Sequence, residues 1–182
     1  MSQFAAWERL DVPGRDAALL QPGKDGWLLR GVAAFDHAAG PAAVAYQVEV
    51  DARWRTKRGV VSGFLGEQTI RHEIRRDDQG WRLDGAAVQD LEHLVDLDYG
   101  FTPATNVLQL SRIALEPGQR AEVPVAWFDL DSASLVELPQ TYERRSESTY
   151  GYEAPTVPYR ALLAIAPNGF VQSYPGLWRL VA

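Results

Sequence analysis

The stretch from Leu94 to Leu115, LVDLDYGFTPATNVLQLSRIAL, decides the reading of this chain, because it holds the one substantial helix start in a sequence otherwise punctuated like a β-protein. Asp96 and Asp98 alternate with Val95, Leu97 and Tyr99. Alternate residues of an extended backbone leave the same face, so the two carboxylates are expected side by side, about 6 to 7 Å apart at their Cα atoms. Thr102 and Pro103 then read as a helix N-cap followed by its first-turn proline. The spacing predicts a helix from Thr102 to about Ser111, with Val107, Leu108 and Ile113 facing a sheet. Thr105, Asn106 and Gln109 place hydroxyl and amide groups just inside it. An acidic strand that runs into a polar helix start suits a hydroxyl-rich ligand, since ionised carboxylates accept several hydrogen bonds at once.

Outward from this segment the signals are those of strands. Trp27 to Val32 and Val44 to Val50 alternate or run apolar between turn-rich stretches. Tyr46, Val48 and Val50 share one face, with Gln47, Glu49 and Asp51 opposite. The pattern is expected to continue in a strand that turns Arg53, Arg55 and Lys57 one way and Trp54, Thr56 and Arg58 the other. GFLG from Gly63 to Gly66 reverses the chain, and Thr69 to Arg76 pairs back as the second arm of a long hairpin. Asp84 and Gly85 close a further short strand. Beyond the helix, EPGQ leads into Ala121 to Leu130, and strands are expected at 140–145, 148–153, 159–165 and 170–174. Frequent turn signals and eleven prolines between short alternating runs indicate one mainly β domain over 1–182. One short helix cannot cover both faces of a large antiparallel sheet. The sheet is therefore expected to curl around it as an open half-barrel, or a second subunit to cover the remainder.

Composition narrows the chemistry. The chain has no cysteine, which removes disulfides, thiolate catalysis and cysteine-ligated zinc. Its N-terminus, MSQFAAWERL, lacks a basic start before an apolar run, and no stretch reaches membrane-span length, so a soluble cytoplasmic protein without an integral membrane segment is expected. A net charge of -6 disfavours nucleic acid, although eight of the eighteen basic residues lie between Arg53 and Arg82. His37, His72 and His93 have no triad or metal spacing, and no nucleophile elbow, HExxH, P-loop or dinucleotide fingerprint occurs. The D-x-D pair lacks the further oxygen ligands a divalent cation needs, so no metal and no cofactor are expected.

Several segments together resemble the family designated putative glycolipid-binding, once a domain of unknown function. YQVEVDARWRTKRGVV from Tyr46 resembles its strand with a fixed acidic residue, then Trp, Thr and a basic pair, here Asp51, Trp54, Thr56, Lys57 and Arg58. GWRLDG from Gly80, carrying Asp84, resembles its Trp-x-x-Asp-Gly turn. Asp96 and Asp98 leading to Thr102, Pro103, Thr105 and Asn106 resemble its D-x-D followed by TP-x-TN. QTY ending at Tyr142, the paired Tyr150 and Tyr152, and GFVQSYPGLW ending at Trp178 complete the likeness, which runs from about Trp27 to the C-terminus. The chain departs from the family at Leu91, Glu92, His93 and Leu94, where Leu-Asp-Gly-Cys is usual, and keeps only Arg112 of a family arginine pair.

The resemblance implies a many-stranded sheet wrapped around one helix, similar in outline to lipoprotein carriers of the cell envelope, with an acidic pocket and a homodimer. The function expected is binding of a glycolipid or related sugar-bearing amphiphile, with a place in glycolipid metabolism, by a protein that is not an enzyme. The residues expected to bind it are Asp51, Trp54, Asp84, Asp96, Asp98, Thr102, Thr105, Asn106, Arg112 and Tyr142. Asp96 and Asp98 would accept head-group hydrogen bonds, Arg112 would hold the carboxylates, and aromatic residues would line the apolar side. Two other readings stay open: a hydrolase or transferase using Asp96 or Asp98 as acid or base, and a structural dimer whose polar cluster only ties strand to helix.

Overall fold

The computed structural model describes residues 1–182 and is 60% strand and 4% helix. A first meander comprises β1 (Gln3–Arg9), β2 (Gly14–Pro22), β3 (Gly26–His37), β4 (Gly40–Asp51), β5 (Thr56–Leu65), β6 (Gln68–Asp77), β7 (Gly80–Leu83) and β8 (Ala86–Val88). The chain then leaves the sheet through β9 (Leu97–Tyr99) and α1 (Asn106–Ile113). It re-enters at the far edge with β10 (Arg120–Glu122) and, after β11 (Val125–Asp129) and β12 (Ser134–Leu138), returns through β13 (Thr141–Ser146), β14 (Thr149–Ala154), β15 (Tyr159–Ile165), β16 (Val171–Tyr174) and β17 (Trp178–Leu180). β17 pairs with β1, with Trp7 opposite Leu180, so fourteen strands form one antiparallel sheet with β10 and β8 at its edges, not closed into a barrel. β9, β11 and β12 make a separate small sheet in which β9 and β11 run parallel.

Alternation decides which face is buried. In β4, Ala42, Val44, Tyr46, Val48 and Val50 are buried while the residues between them are not. The same period in β1 to β7 builds a larger core that includes Trp7, Leu29, Val61, Ile74 and Trp81. A smaller core gathers Val123, Val125, Tyr142, Tyr150, Tyr152 and Leu163 under the returning strands. Helix α1 joins the two. Val107 and Leu108 belong to the first core and Leu110 to the second, and each such buried side chain stabilises by roughly 1.5–3 kcal/mol.

Two expectations need correction. The helix starts at Asn106, not at Thr102, because the hydroxyls that would cap it are engaged elsewhere. Thr105 is the N-cap residue but makes no side-chain cap bond, its Oγ1 donating to Asp98, and Thr102 Oγ1 donates to Asp16 while accepting the Ala104 N–H at 3.0 Å. The strand expected through Arg53 is instead a turn, with Trp54 at φ 63° and β5 beginning only at Thr56. Asp51 folds that turn by accepting the Arg53 and Arg55 N–H groups at 2.8 and 2.9 Å, and the Trp54 ring stacks on Trp27 at 5.0 Å between centroids. No helix is long and apolar enough to cross a membrane.

Candidate functional site

The crossover segment is pinned before it reaches the helix. Thr56 clamps both sides of Asp96, donating its N–H to Val95 O and accepting the Leu97 N–H on Oγ1, each at 3.0 Å. Arg76 Nε and Trp81 Nε1 both donate to Leu94 O, at 2.7 and 3.1 Å. On the other side the Ala126 N–H donates to Asp96 O at 2.9 Å, setting the register of β9 on β11.

Asp96 and Asp98 are both buried, at 1% and 8% exposure, but their partners differ. Arg112, in the last turn of α1, donates from Nε to both Asp96 oxygens at 2.9 Å and from its terminal nitrogen to Oδ2 at 2.6 Å. Burial raises the Asp96 carboxyl, and the Arg112 hydrogen bonds and charge pull it back. Asp98 meets no cation. Thr105 Oγ1 donates to its Oδ1 at 2.5 Å, while Oδ2 receives no hydrogen bond and is not sealed off from the surface. Burial raises the Asp98 carboxyl above the usual range. Thr105 opposes that shift, as does the Gln109 amide, whose Nε2 approaches without completing a hydrogen bond.

Asp98 lines a cavity of about 280 Å³ between the helix entry and β14 to β17. Asn106 shares the floor. Its Nδ2 donates to Tyr142 Oη at 2.7 Å, Tyr142 passes its own proton to Gln109 Oε1 at 3.0 Å, and Gln140 Nε2 donates to the same oxygen at 3.3 Å. This chain fixes the amide, so Asn106 Oδ1 is left without a protein partner and not sealed off. Tyr152, Tyr159 and Tyr174 form one aromatic wall, with centroids 5.2 to 6.0 Å apart, and Trp127 and Trp178 complete the lining. Leu138, Val157 and Leu177 make it apolar where the tyrosine hydroxyls do not reach. Trp127 can lie there because residue 100 is glycine: a Cβ would come within 2.6 Å of its Nε1. A larger recess of about 610 Å³ crosses β1 to β5 on the outward face, where Phe4, Leu19, Val32 and several alanines form most of the lining and the polar Arg30, Gln47 and Ser62 are not buried. Convergence of polar groups in an apolar surround marks the smaller cavity as the candidate site.

The family described as Putative glycolipid-binding matches residues 4–180. The chain belongs to this family. Among solved structures, it is similar to the crystal structure of a DUF1089 family protein from Pseudomonas aeruginosa, with 25% identity, a TM-score of 0.78, and 90% of this chain and 91% of that one covered. No curated protein matches.

In this family member the expected residues divide by their place relative to the cavity. Asp98, Thr102 and Asn106 line the cavity. Thr105, Arg112 and Tyr142 lie behind it, where Thr105 holds Asp98, Arg112 holds Asp96, and Tyr142 orients Asn106. Asp96, consumed by Arg112, does not line it. Asp51, Trp54 and Asp84 lie outside the cavity lining: the first two build the β4–β5 turn, and Asp84 ties a turn by accepting the Glu73 N–H at 2.7 Å and pairing with His72 at 2.8 Å.

The residue missed is Asp16, on the inner face of β2 and 2% exposed. Tyr46 Oη reaches both its oxygens at 3.0 and 2.9 Å, and Thr102 Oγ1 donates to Oδ2. Burial pushes its carboxyl up to about 7 despite these donors. The TP-x-T segment thus uses each threonine hydroxyl on a different buried carboxylate. Nothing in GRDAALL marks an inward carboxylate except the alternation of Asp16 with buried Ala18 and Leu20.

Proposed function

We propose that this protein binds a sugar-bearing amphiphile and is not an enzyme, with the sugar in the cavity floored by Asp98 and Asn106. The observation that carries this reading is the pair of unpartnered acceptors, Asp98 Oδ2 and Asn106 Oδ1, in a cavity walled by tyrosine and tryptophan. Hydroxyl groups satisfy such acceptors, and the C–H face of a sugar ring packs on aromatic rings. The apolar residues Val157 and Leu177 would receive the start of the tail. Family membership supports the same ligand class.

The hydrolase reading needs two carboxylates on the substrate. It is disfavoured, because Asp96 gives both oxygens to Arg112 and only Asp98 lines the cavity. The reading includes a cytoplasmic homodimer, consistent with the absence of cysteine and with apolar residues left on the outward face, where Phe4 is 68% exposed and Val32 53%. Native mass spectrometry of the purified protein is expected to find a retained sugar-bearing amphiphile, and Asp98→Asn to weaken retention. Protein that stays empty in contact with such amphiphiles, or turnover of a glycoside panel that disappears in the same variant, would overturn the proposal, and light scattering checks the dimer.

A further inference from the structure

The cavity specifies more than a hydroxyl-rich head. Its floor presents acceptors: one carboxylate oxygen and one amide oxygen, neither matched by a protein donor. No lysine or arginine lines it, and the guanidinium of Arg112, in the last turn of α1, is held by Asp96. A neutral sugar hydroxyl brings one donor together with acceptor lone pairs, whereas an ammonium brings three donors and a full positive charge. Aromatic faces favour the same choice, because their quadrupole attracts cations and repels anions. Of the lining hydroxyls, Thr102 is spent on Asp16 and Tyr159 donates to Pro175 O at 2.6 Å; the Tyr152 and Tyr174 hydroxyls and the Trp127 and Trp178 indole N–H groups are neutral donors, which bring no positive charge to an anionic head.

From this geometry we infer that the head group is a single sugar ring bearing a free ammonium, seated with the ammonium on Asp98 Oδ2 and Asn106 Oδ1 against the Tyr152, Tyr174 and Trp127 rings. The inference rests on the binding reading above and deepens it. A cavity of about 280 Å³ lies just below the roughly 300–1,000 Å³ of drug-sized sites, which suits one ring rather than two. Electrostatics agree. Burial raises the hydroxyl pKa values of Tyr142, Tyr152 and Tyr174, and the negative charge of Asp98 raises each further, so the carboxylate's field extends through these rings. An ammonium placed in that field would in turn favour ionised Asp98, offsetting the desolvation that now raises its carboxyl. Phosphate, sulfate or carboxylate sugars would meet an uncompensated negative site and are excluded.

The test compares octyl β-glucoside with its 2-amino-2-deoxy and 2-acetamido-2-deoxy counterparts, below their micelle concentrations, by calorimetric titration of the full chain at neutral pH. The amino glycoside is expected to bind at least about tenfold more tightly than either neutral one, as a charge-assisted hydrogen bond in a desolvated site allows. Asp98→Asn is expected to abolish the preference. Trp127→Leu, which leaves the carboxylate in place, is expected to reduce it while the neutral glycosides lose less. Equal affinity for all three would overturn the charge inference and leave the sugar reading standing. Binding of tetramethylammonium but of no glycoside would do the reverse, upholding a cation site and ending the sugar reading. No binding of any probe would end both.

Discussion

Asp98 keeps one carboxylate oxygen for the cavity, whereas Asp96, two residues earlier, gives both of its oxygens to Arg112. The segment entering β9 turns both side chains toward α1, one to its N-cap and one to its last turn, so the separation in role comes from what the helix offers. At Thr105 it offers one hydroxyl, and at Arg112, two turns on, a planar fork that matches a carboxylate geometrically. One acid is neutralised to hold α1 in place and the other is left short of donors beside an empty volume.

Removing Arg112 should therefore cost stability without touching the cavity. Arg112→Met strands a carboxylate that is 2% exposed in its side chain, and loss of one partner of a buried pair costs roughly 3–5 kcal/mol. Urea denaturation is expected to register a loss of about that size, reduced when Asp96→Asn is added. A single variant as stable as the parent would contradict the structural role given to the pair.

Asp16 predicts a pH dependence of known sign. Its folded carboxyl titrates at about 7, above the unfolded value near 3.8, so the folded state holds the proton more tightly. The stabilisation is complete below about pH 4 and is lost as pH rises through about 7, with an upper bound of about 4 kcal/mol for a shift of some three units. Stability of the parent is expected to fall between about pH 4 and 7, and the fall to be smaller in Asp16→Asn. Asp96 and Asp98 shift in the same direction, so the difference between the two profiles is the measurement.

Gly100→Ala tests the placement of Trp127. The new Cβ would lie 2.6 Å from Nε1 and 2.8 Å from Cζ2, so the ring has to move or the backbone has to shift. Overpacking of this kind costs about 1–3 kcal/mol. A changed near-ultraviolet circular dichroism signal is expected, with weaker retention of any bound amphiphile. An unchanged spectrum with full retention would separate Trp127 from the binding wall.

Asp51→Ala should behave in the opposite way to Asp98→Asn. It removes the acceptor for the Arg53 and Arg55 N–H groups and for Arg55 Nε at 2.9 Å, loosening the turn that carries Trp54 at positive φ. The expected loss is about 1–2 kcal/mol, since part of the pairing is exposed to solvent. Ligand retention is expected to be unaltered, and a clear loss of retention would return Asp51 to the binding site.

The sequence announced the sheet where side chains alternate strongly, as in β4 with Val44, Tyr46, Val48 and Val50. It was silent over β1 and β2, whose inward positions include Ala5 and Ala18 and whose outward ones include Ala6 and Ala17, because alanine carries little strand signal. β12, SLVEL, carries no expectation because it is five residues long, opens on a serine and sets Val136 and Glu137 side by side on its exposed stretch. The local pattern places the helix within a few residues, but not its start, because Thr102 is claimed by Asp16 from eighty-six positions away. Asp98 and Asn106 were legible as candidates from local pattern, and so in part was Arg112, expected to hold both carboxylates but paired with Asp96 alone. The aromatic wall of Tyr152, Tyr159 and Tyr174 was not, since it exists only where three returning strands meet the crossover segment.

The pairing of β1 with β17 has a kinetic consequence. The seam at the middle of the great sheet, Trp7 against Leu180 and Arg9 against Trp178, joins residues about as distant along the backbone as this polypeptide permits. Each meander can zip from its own hairpins, but their union must await a loop closure that spans nearly everything in between, and such remote contacts slow a folding reaction by orders of magnitude. Until that stitch is made, two half-sheets carry bare inner edges, and the cavity, which borrows walls from the later half and a floor from the crossing, has no shape to offer.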